Sequence, residues 1–367
     1  MIAAEFRHIS KRYGRLAVLQ DVNLSVEAGS FTVLYGPPAC GKSVLVRLLT
    51  GLEQPDSGQI LLRGEEATHL PPGERNIGYV PQSFALYPHY NVFDNIAYPL
   101  RLSRMPKAQV EPIVQRAAAM LKIEPLLTKT PDQLSGGEKQ RVAIARGIVK
   151  ETEIFVLDDP LTGLDFKLRE QLIDDLKQMQ ESLGVTFIYT TSDAIEALML
   201  AENVAILDQG RILESGPLET LYWQPQRAQT LALLGFPQVN FLDGRLEEEA
   251  GGLWCQTPLF RFPVRLEGDG HASHPQAVRA AVRPQDLLLD GPNGEGVLTC
   301  PAQVLLREDL GGEMIVYLEA QGIPLTTVVR HENAHLVAED RVTLAVAPES
   351  LFLFDQEGAR LGRGAPR

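Results

Sequence analysis

The stretch FTVLYGPPACGKS, from Phe31 to Ser43, decides how the first part of the chain is read. Phe31 to Tyr35 is a strand-like run that leads straight into a glycine-bounded turn. The next eight residues, Gly36-Pro37-Pro38-Ala39-Cys40-Gly41-Lys42-Ser43, satisfy the spacing G-x-x-x-x-G-K-[ST]. SVLVRLLTGL then follows with helical apolar spacing. A strand, a glycine-bounded turn and a helix in that order make a cradle for phosphate: backbone N–H groups wrap the anion, and the helix N-terminus adds partial positive charge. Lys42 is expected to meet the β and γ phosphates, and the Ser43 hydroxyl to be a Mg2+ ligand.

Working outward, EIFVLDD (Glu153 to Asp159) and VTFIYTT (Val185 to Thr191) read as further buried strands, each flanked by helical sequence. A carboxylate at the end of such a strand is what holds Mg2+ in a phosphate-loop site, which assigns that role to Asp158. Asp159 then faces the place where water must be activated for attack on the γ phosphate. Alone, the Asp158-Asp159 pair could equally cap a helix or open a solvated loop; with the phosphate loop in the same chain, the nucleotide reading is preferred.

The alternation of strands and helices predicts an α/β domain over residues 1–235. At LLGFPQVNFLDG (Leu233 to Gly244) the helical signal stops. LFRFPVRL, QAVRAAVRPQDLLL, AQVLLREDL, MIVYLEA, LTTVVR and RVTLAVAPESLFLF follow as short β-like runs between turn residues, which predicts a small barrel or sandwich over 236–356. The glycine-rich end, 357–367, is expected to be a flexible tail.

Composition narrows the classes. The 367 residues are 44% hydrophobic and carry a formal charge of -13, a field unsuited to gathering nucleic acid or anionic lipid. Cys40, Cys255 and Cys300 are too few and scattered for a disulfide framework or a zinc site. No apolar run reaches the roughly 20 residues needed to cross a bilayer, and MIAAEFRHISKRYG lacks the apolar core of a secretory signal. The expected location is the cytoplasmic face of the cell membrane, reached by docking on proteins that span it.

Leu134-Ser135-Gly136-Gly137-Glu138-Lys139-Gln140-Arg141, lying between the phosphate loop and the acidic strand, resembles the signature sequence of ABC ATPases. The resemblance implies a RecA-like core with a helical subdomain, binding ATP with Mg2+. It also implies a dimer of cassettes, in which Ser135, Gly136 and Gly137 close on nucleotide held by the other subunit. Tyr13 stands where the family's aromatic stacks on adenine. Gln82, in YVPQSFALYPHY, matches the glutamine that senses Mg2+ and the attacking water, and Asp165, in LTGLD, the aspartate that communicates across the dimer. Val44 follows Ser43 where a second hydroxyl is usual.

FALYPHYNVFDNIAYPLRL, after Gln82, resembles the part of importer ATPases that receives a helix of the membrane subunits. VRPQDLLLD and REDLGGEMIVYLEA resemble the OB-like TOBE domain of sugar, polyol and oxyanion importers. The implied partners are two membrane-spanning permease subunits, a second ABC ATPase and, indirectly, an extracytoplasmic solute-binding protein; nucleic acid is not among them. DFKLREQL and YTTSDAIEAL further resemble paired polyol-importer ATPases such as those for glycerol.

Two positions depart from the family pattern. Ser192 holds the place of the histidine that contacts the γ phosphate, and between His89 and His271 the chain has no histidine to substitute for it. Serine donates one hydrogen bond and carries no positive charge. Asp159 replaces the general-base glutamate, retracting the carboxylate by about 1 to 1.5 Å, a displacement that can cost on the order of 100-fold in rate. Binding groups are intact while cleavage groups are altered. This pattern suits the degenerate half of a paired ATPase, a homodimer with two slow sites, or a nucleotide-binding regulatory partner. A soluble ABC protein of translation or repair would more often carry two cassettes or a long coiled-coil insertion.

Overall fold

The computed structural model describes residues 1–249, 252–267, 276–290, 296–330 and 337–366. They form two compact units, Met1–Leu218 and Glu219–Arg367.

In the first unit the strands are β1 (Ile2–Tyr13), β2 (Leu16–Glu27), β3 (Phe31–Tyr35), β4 (Ser57–Leu62), β5 (Glu65–Glu66), β6 (Ile77–Val80), β7 (Ile154–Asp158), β8 (Thr186–Thr191), β9 (Asn203–Asp208) and β10 (Arg211–Pro217). The helices are α1 (Lys42–Thr50), α2 (Val92–Leu102), α3 (Lys107–Met120), α4 (Gly136–Ile148), α5 (Phe166–Leu183) and α6 (Ala194–Leu200). One antiparallel sheet runs β2-β1-β4-β5, and a second sheet runs β10-β9-β3-β8-β7-β6. Within the second sheet β9, β3, β8, β7 and β6 are parallel neighbours. Every residue of β3, β7 and β8 is buried, as unbroken apolar runs require of a sheet covered on both faces. Ile9, Val22, Leu45, Leu49, Ile154 and Val156 belong to one core that joins both sheets to α1. The helices α2, α3 and α4 pack on one another.

Parallel pairing has a positional consequence. Tyr35 lies opposite Thr191, Asp158 opposite Thr190, and Val80 opposite Leu157, so the carboxyl ends of β3, β8, β7 and β6 sit side by side. Open α/β sheets bind ligands at that edge.

The second unit begins with α7 (Leu218–Trp223) and α8 (Ala228–Leu233). Strands β11 (Asn240–Glu249), β12 (Gly252–Gln256), β13 (Arg261–Leu266), β14 (Gln276–Val282), β15 (Leu288–Leu289), β16 (Leu298–Asp309), β17 (Glu313–Ala320), β18 (Ile323–Arg330), β19 (Arg341–Val346), β20 (Phe352–Phe354) and β21 (Arg360–Gly364) follow. They make a closed barrel, β11-β12-β13-β21-β20-β14, and a five-stranded sheet, β15-β19-β16-β17-β18. The architecture is thus an α/β phosphate-loop domain followed by a β-rich domain of the barrel type.

The compact units divide at Leu218 and Glu219, whereas the expected domain boundary lies between 235 and 236. The reason is packing: Ala228 and Leu231 of α8 share a core with Val239, Ala281, Phe352 and Phe354. Arg283, fully buried, donates to the carbonyls of Leu234 at 2.8 Å and Tyr222 at 2.6 Å, anchoring the same segment. The end of the chain is not a free tail either, since β21 pairs with β13 and β20. Its glycines serve close approach rather than flexibility: a Cβ on Gly364 would lie 2.0 Å from the Pro348 carbonyl oxygen.

Candidate nucleotide site

The residues between β3 and α1 surround a cavity of about 310 Å³ lined by Val18, Pro38, Ala39, Gly41, Lys42, Ser43, Val44, Gln82, Asp159 and Ser192. Each strand of the central group delivers one part. The phosphate loop leaves β3, Gln82 follows β6, Asp159 follows β7 and Ser192 follows β8.

At the loop, Gly41 has φ 114, a left-handed value that L side chains rarely adopt, and it stands immediately before α1. Lys42, 8% exposed, folds its Nζ back onto the loop, donating to the carbonyls of Gly36 at 2.7 Å and Pro37 at 2.9 Å. The ammonium also donates to Cys40 Sγ at 3.8 Å, a weak acceptor. Burial raises the Cys40 thiol pKa, against a lowering by the Lys42 charge.

The Asp158 carboxylate is buried, 4% exposed. Its Oδ1 accepts from Ser43 Oγ at 3.0 Å and Thr190 Oγ1 at 2.8 Å, and its Oδ2 from the Tyr79 hydroxyl at 3.4 Å. Burial, then the Asp158 charge, pushes the Tyr79 phenol up to about 12. All three partners are neutral hydroxyls, and among the described residues no basic side chain pairs with Asp158. A buried carboxylate without a cation beside it fits a hard divalent ion with oxygen ligands. No group of three or more His, Cys, Asp or Glu among the described residues could hold such an ion. Ser43, Asp158 and Gln82 would therefore share it with the ligand's own phosphates and water, the usual manner of Mg2+.

Asp159 has φ 49, unusual for a residue with a side chain. Its N–H donates to the Thr190 carbonyl at 3.1 Å and to Thr190 Oγ1 at 2.9 Å, which holds this conformation. Its Oδ2 accepts from Gln82 Nε2 at 3.2 Å. Exposed Ser192 completes the rim. Beside it, buried Glu196 accepts from the hydroxyls of Tyr189 at 2.8 Å and Thr191 at 2.7 Å, and Asp193 pairs with Arg169 at 2.8 Å.

Other expected site residues stand away from this cavity. Tyr13 does not line it; the hydroxyl bonds Glu53, which in turn holds Arg47 at 2.6 Å. Ser135 caps α4 in a reciprocal pair, with its N–H on Glu138 Oε2 at 2.7 Å and the Glu138 N–H on its Oγ at 3.3 Å. Ser135 and Gly136 are exposed, and Gly137 is buried behind them. Asp165 caps α5, accepting from the Leu168 N–H at 3.0 Å. Sequence reasoning missed Val18, Tyr79 and Thr190. Val18 lies on a strand not separated from its surroundings, and Thr190 was one polar residue inside a strand read as a whole.

Fold and cavity together define a phosphate-loop nucleotide-binding protein with an added β-rich domain. Comparison with known proteins narrows this. The profile of the family described as ABC transporter matches residues 19–162, and that of the TOBE domain matches 280–354. The sn-glycerol-3-phosphate import ATP-binding protein UgpC of Chromohalobacter salexigens is 36% identical over 357 residues, spanning 96% of this chain and 94% of that protein. The maltose/maltodextrin import ATP-binding protein MalK of Yersinia pestis is 34% identical over 359 residues, 97% of this chain and 96% of its own. Among solved structures, the dimeric ATP-binding cassette MJ0796 in a post-hydrolysis state with ADP and Pi aligns with TM-score 0.54 and 28% identity. That alignment covers 59% of this chain and 98% of the cassette. The chain belongs to the family of ABC transporter ATP-binding proteins that carry a C-terminal TOBE domain. Among the described residues no helix is long and apolar enough to cross a membrane.

Proposed function

We propose that this chain binds and hydrolyses ATP to drive uptake of a small polar solute, a sugar or a polyol such as glycerol. It would work at the cytoplasmic membrane face with a second cassette, two membrane-spanning subunits and a solute-binding protein outside. The observation that carries the reading is the single cavity in which the phosphate loop, Gln82, Asp159 and Ser192 meet. The names of the relatives, importers of glycerol 3-phosphate and of maltose, support the direction of transport and the solute class.

In this reading Lys42 leaves its two loop carbonyls to meet the β and γ phosphates, and Asp159 takes the proton of the attacking water. Bound Mg2+ would neutralise charge on the phosphates. Gln82, already bonded to Asp159, would orient water against that carboxylate. Exposed Ser135 and Gly136, with no part in this chain's own cavity, suit contact with nucleotide on a second cassette. Tyr13 would stack on adenine from outside the phosphate cavity. Closing two cassettes on ATP and releasing them after hydrolysis would switch the membrane subunits between two states.

Ser192 and Asp159 supply neither an imidazole nor a full-length glutamate, which supports slow turnover at this site and a role as the degenerate half of a pair. ATP turnover of the purified chain, beside Lys42→Ala and Ser192→His under identical Mg2+, tests this. Turnover that depends on Lys42 supports a self-sufficient ATPase. Binding without turnover supports the paired or regulatory role. Loss of neither binding nor turnover in Lys42→Ala would defeat the assignment of the site.

A further inference from the structure

Gln82 is followed by two consecutive non-glycine residues in the left-handed region, Phe84 with φ 60 and Ala85 with φ 49. Such a pair is strained and needs an outside hold. It comes from Arg146, in the last turn of α4. Nη2 donates to the Phe84 carbonyl at 2.8 Å and Nη1 to the Ala85 carbonyl at 2.6 Å, while the guanidinium stands 5.5 Å from the Tyr87 ring centroid. A planar fork that bonds adjacent carbonyls and faces a ring is specific to arginine; a lysine ammonium cannot meet all three. Asn95, fully buried, grips the other half of the loop, accepting from the Tyr87 N–H at 2.8 Å and donating to the carbonyls of Tyr87, Tyr90 and Asn91 at 3.1 Å.

The helix that carries Arg146 starts at Gly136, beside Ser135. One 13-residue helix, about 20 Å long, thus has the signature sequence at its N-terminus and the loop after Gln82 at its C-terminus. A helix of that length moves as a rod, so displacement of one end reaches the other. We propose that Arg146 is a positioning residue that ties the signature helix to the 83–90 segment, passing nucleotide-driven movement of Ser135 to Gly137 into the loop that follows Gln82. The inference rests on the cassette reading above for its nucleotide response, but not for the tie itself.

The test is hydrogen exchange of the full chain with and without Mg-ATP, in wild type, Arg146→Lys and Arg146→Ala, with ATP affinity measured alongside. Both variants should speed exchange across 83–90 by about tenfold or more and lose its response to nucleotide. ATP affinity and exchange in β3 and β7 should stay within about twofold, because Arg146 touches neither the cavity nor those strands. Arg146→Lys keeps charge and stem, so it guards against a variant that simply fails to fold. Unchanged exchange in 83–90 in both variants would overturn the tie. Wild type that binds ATP with no change in 83–90 would overturn the transmission. Wild type that binds no ATP would defeat the cassette reading and with it the transmission, leaving the tie to be judged by exchange without nucleotide.

Discussion

The side-chain amide of Gln82 donates to Oδ2 of Asp159 at 3.2 Å, joining the chain beyond β6 to the chain beyond β7 at the cavity wall. Both groups thereby address one place, and the shorter reach of aspartate decides how far into the cavity that place lies. Asp159→Glu should therefore raise ATP turnover, by up to on the order of 100-fold if carboxylate reach sets the rate. Asp159→Asn should remove whatever turnover the wild type has. Steady-state phosphate release measures both, and a glutamate variant no faster than wild type would place the limit elsewhere.

Ser192 shares that cavity without a positive charge to offer. Ser192→His should raise turnover severalfold while leaving ATP affinity within about threefold, since one hydrogen bond to the γ phosphate is added. The rate in that variant should also acquire a dependence on pH near the imidazole range, about 6.5. A flat profile with no gain would identify Asp159 as the remaining defect.

Thr190 serves both acidic residues, donating to Asp158 at 2.8 Å and accepting from the Asp159 N–H at 2.9 Å. Thr190→Val keeps the shape and removes both bonds. The expected loss is about 1 to 2 kcal/mol of stability, with weaker Mg2+ dependence of nucleotide binding. Denaturant unfolding and a Mg2+ titration at fixed ATP read the two effects separately. A variant equal to wild type in both would show Thr190 to be dispensable.

Glu196 makes a pH-dependent case. Burial is the largest influence and raises its pKa, with hydroxyls of Thr191 and Tyr189 lowering it, Asp193 raising it and Arg169 lowering it. The folded protein therefore holds this proton more tightly than the unfolded chain. That stabilisation is complete below the unfolded pKa, about 4.3, and is lost as pH rises through the folded value. Relative to Glu196→Gln, which has no proton to lose, wild type should grow less stable between pH 4 and neutrality. Urea unfolding across that range checks the slope; an opposite slope would mean that Arg169 and the two hydroxyls outweigh burial.

Arg283 anchors the start of the second unit, stacked 3.8 Å from the Tyr222 ring centroid and bonded to two carbonyls. Arg283→Ala should cost about 3 kcal/mol through lost packing and orphaned carbonyls. Both tryptophans, Trp223 and Trp254, lie in the second unit, so their fluorescence reports its unfolding selectively. The fluorescence midpoint should fall while ATP binding in the first unit persists. An unchanged midpoint would remove Arg283 from the account of the boundary.

The glycine-rich end shows why local composition misled. GARLGRG has the content of a loose tail, yet β21 closes the barrel because Gly364 lets the backbone approach the Pro348 carbonyl. Likewise Gly235 and Pro237 mark a break in the chain, but α8 before them packs its Ala228 and Leu231 against residues that come after. A turn signal is local, whereas membership of a core is not.

The sequence by itself determined the elements that carry chemistry: a buried strand at Phe31 to Tyr35, the phosphate loop after it, the acidic pair ending another strand, and the signature LSGGEKQR opening a helix. Each is contiguous, and each is dictated by apolar runs, glycine placement and capping within a few residues. Only the tertiary structure decided that β3, β8, β7 and β6 lie side by side, bringing Ser192, Asp159 and Gln82 to one cavity with Val18. It also decided that Thr190 supports both aspartates and that Arg146 grips the loop beyond Gln82. Strand order and register come from the pairing of segments far apart in the chain, as where Thr32 of β3 lies opposite Asn203 of β9, for which no short pattern in the chain provides a signal.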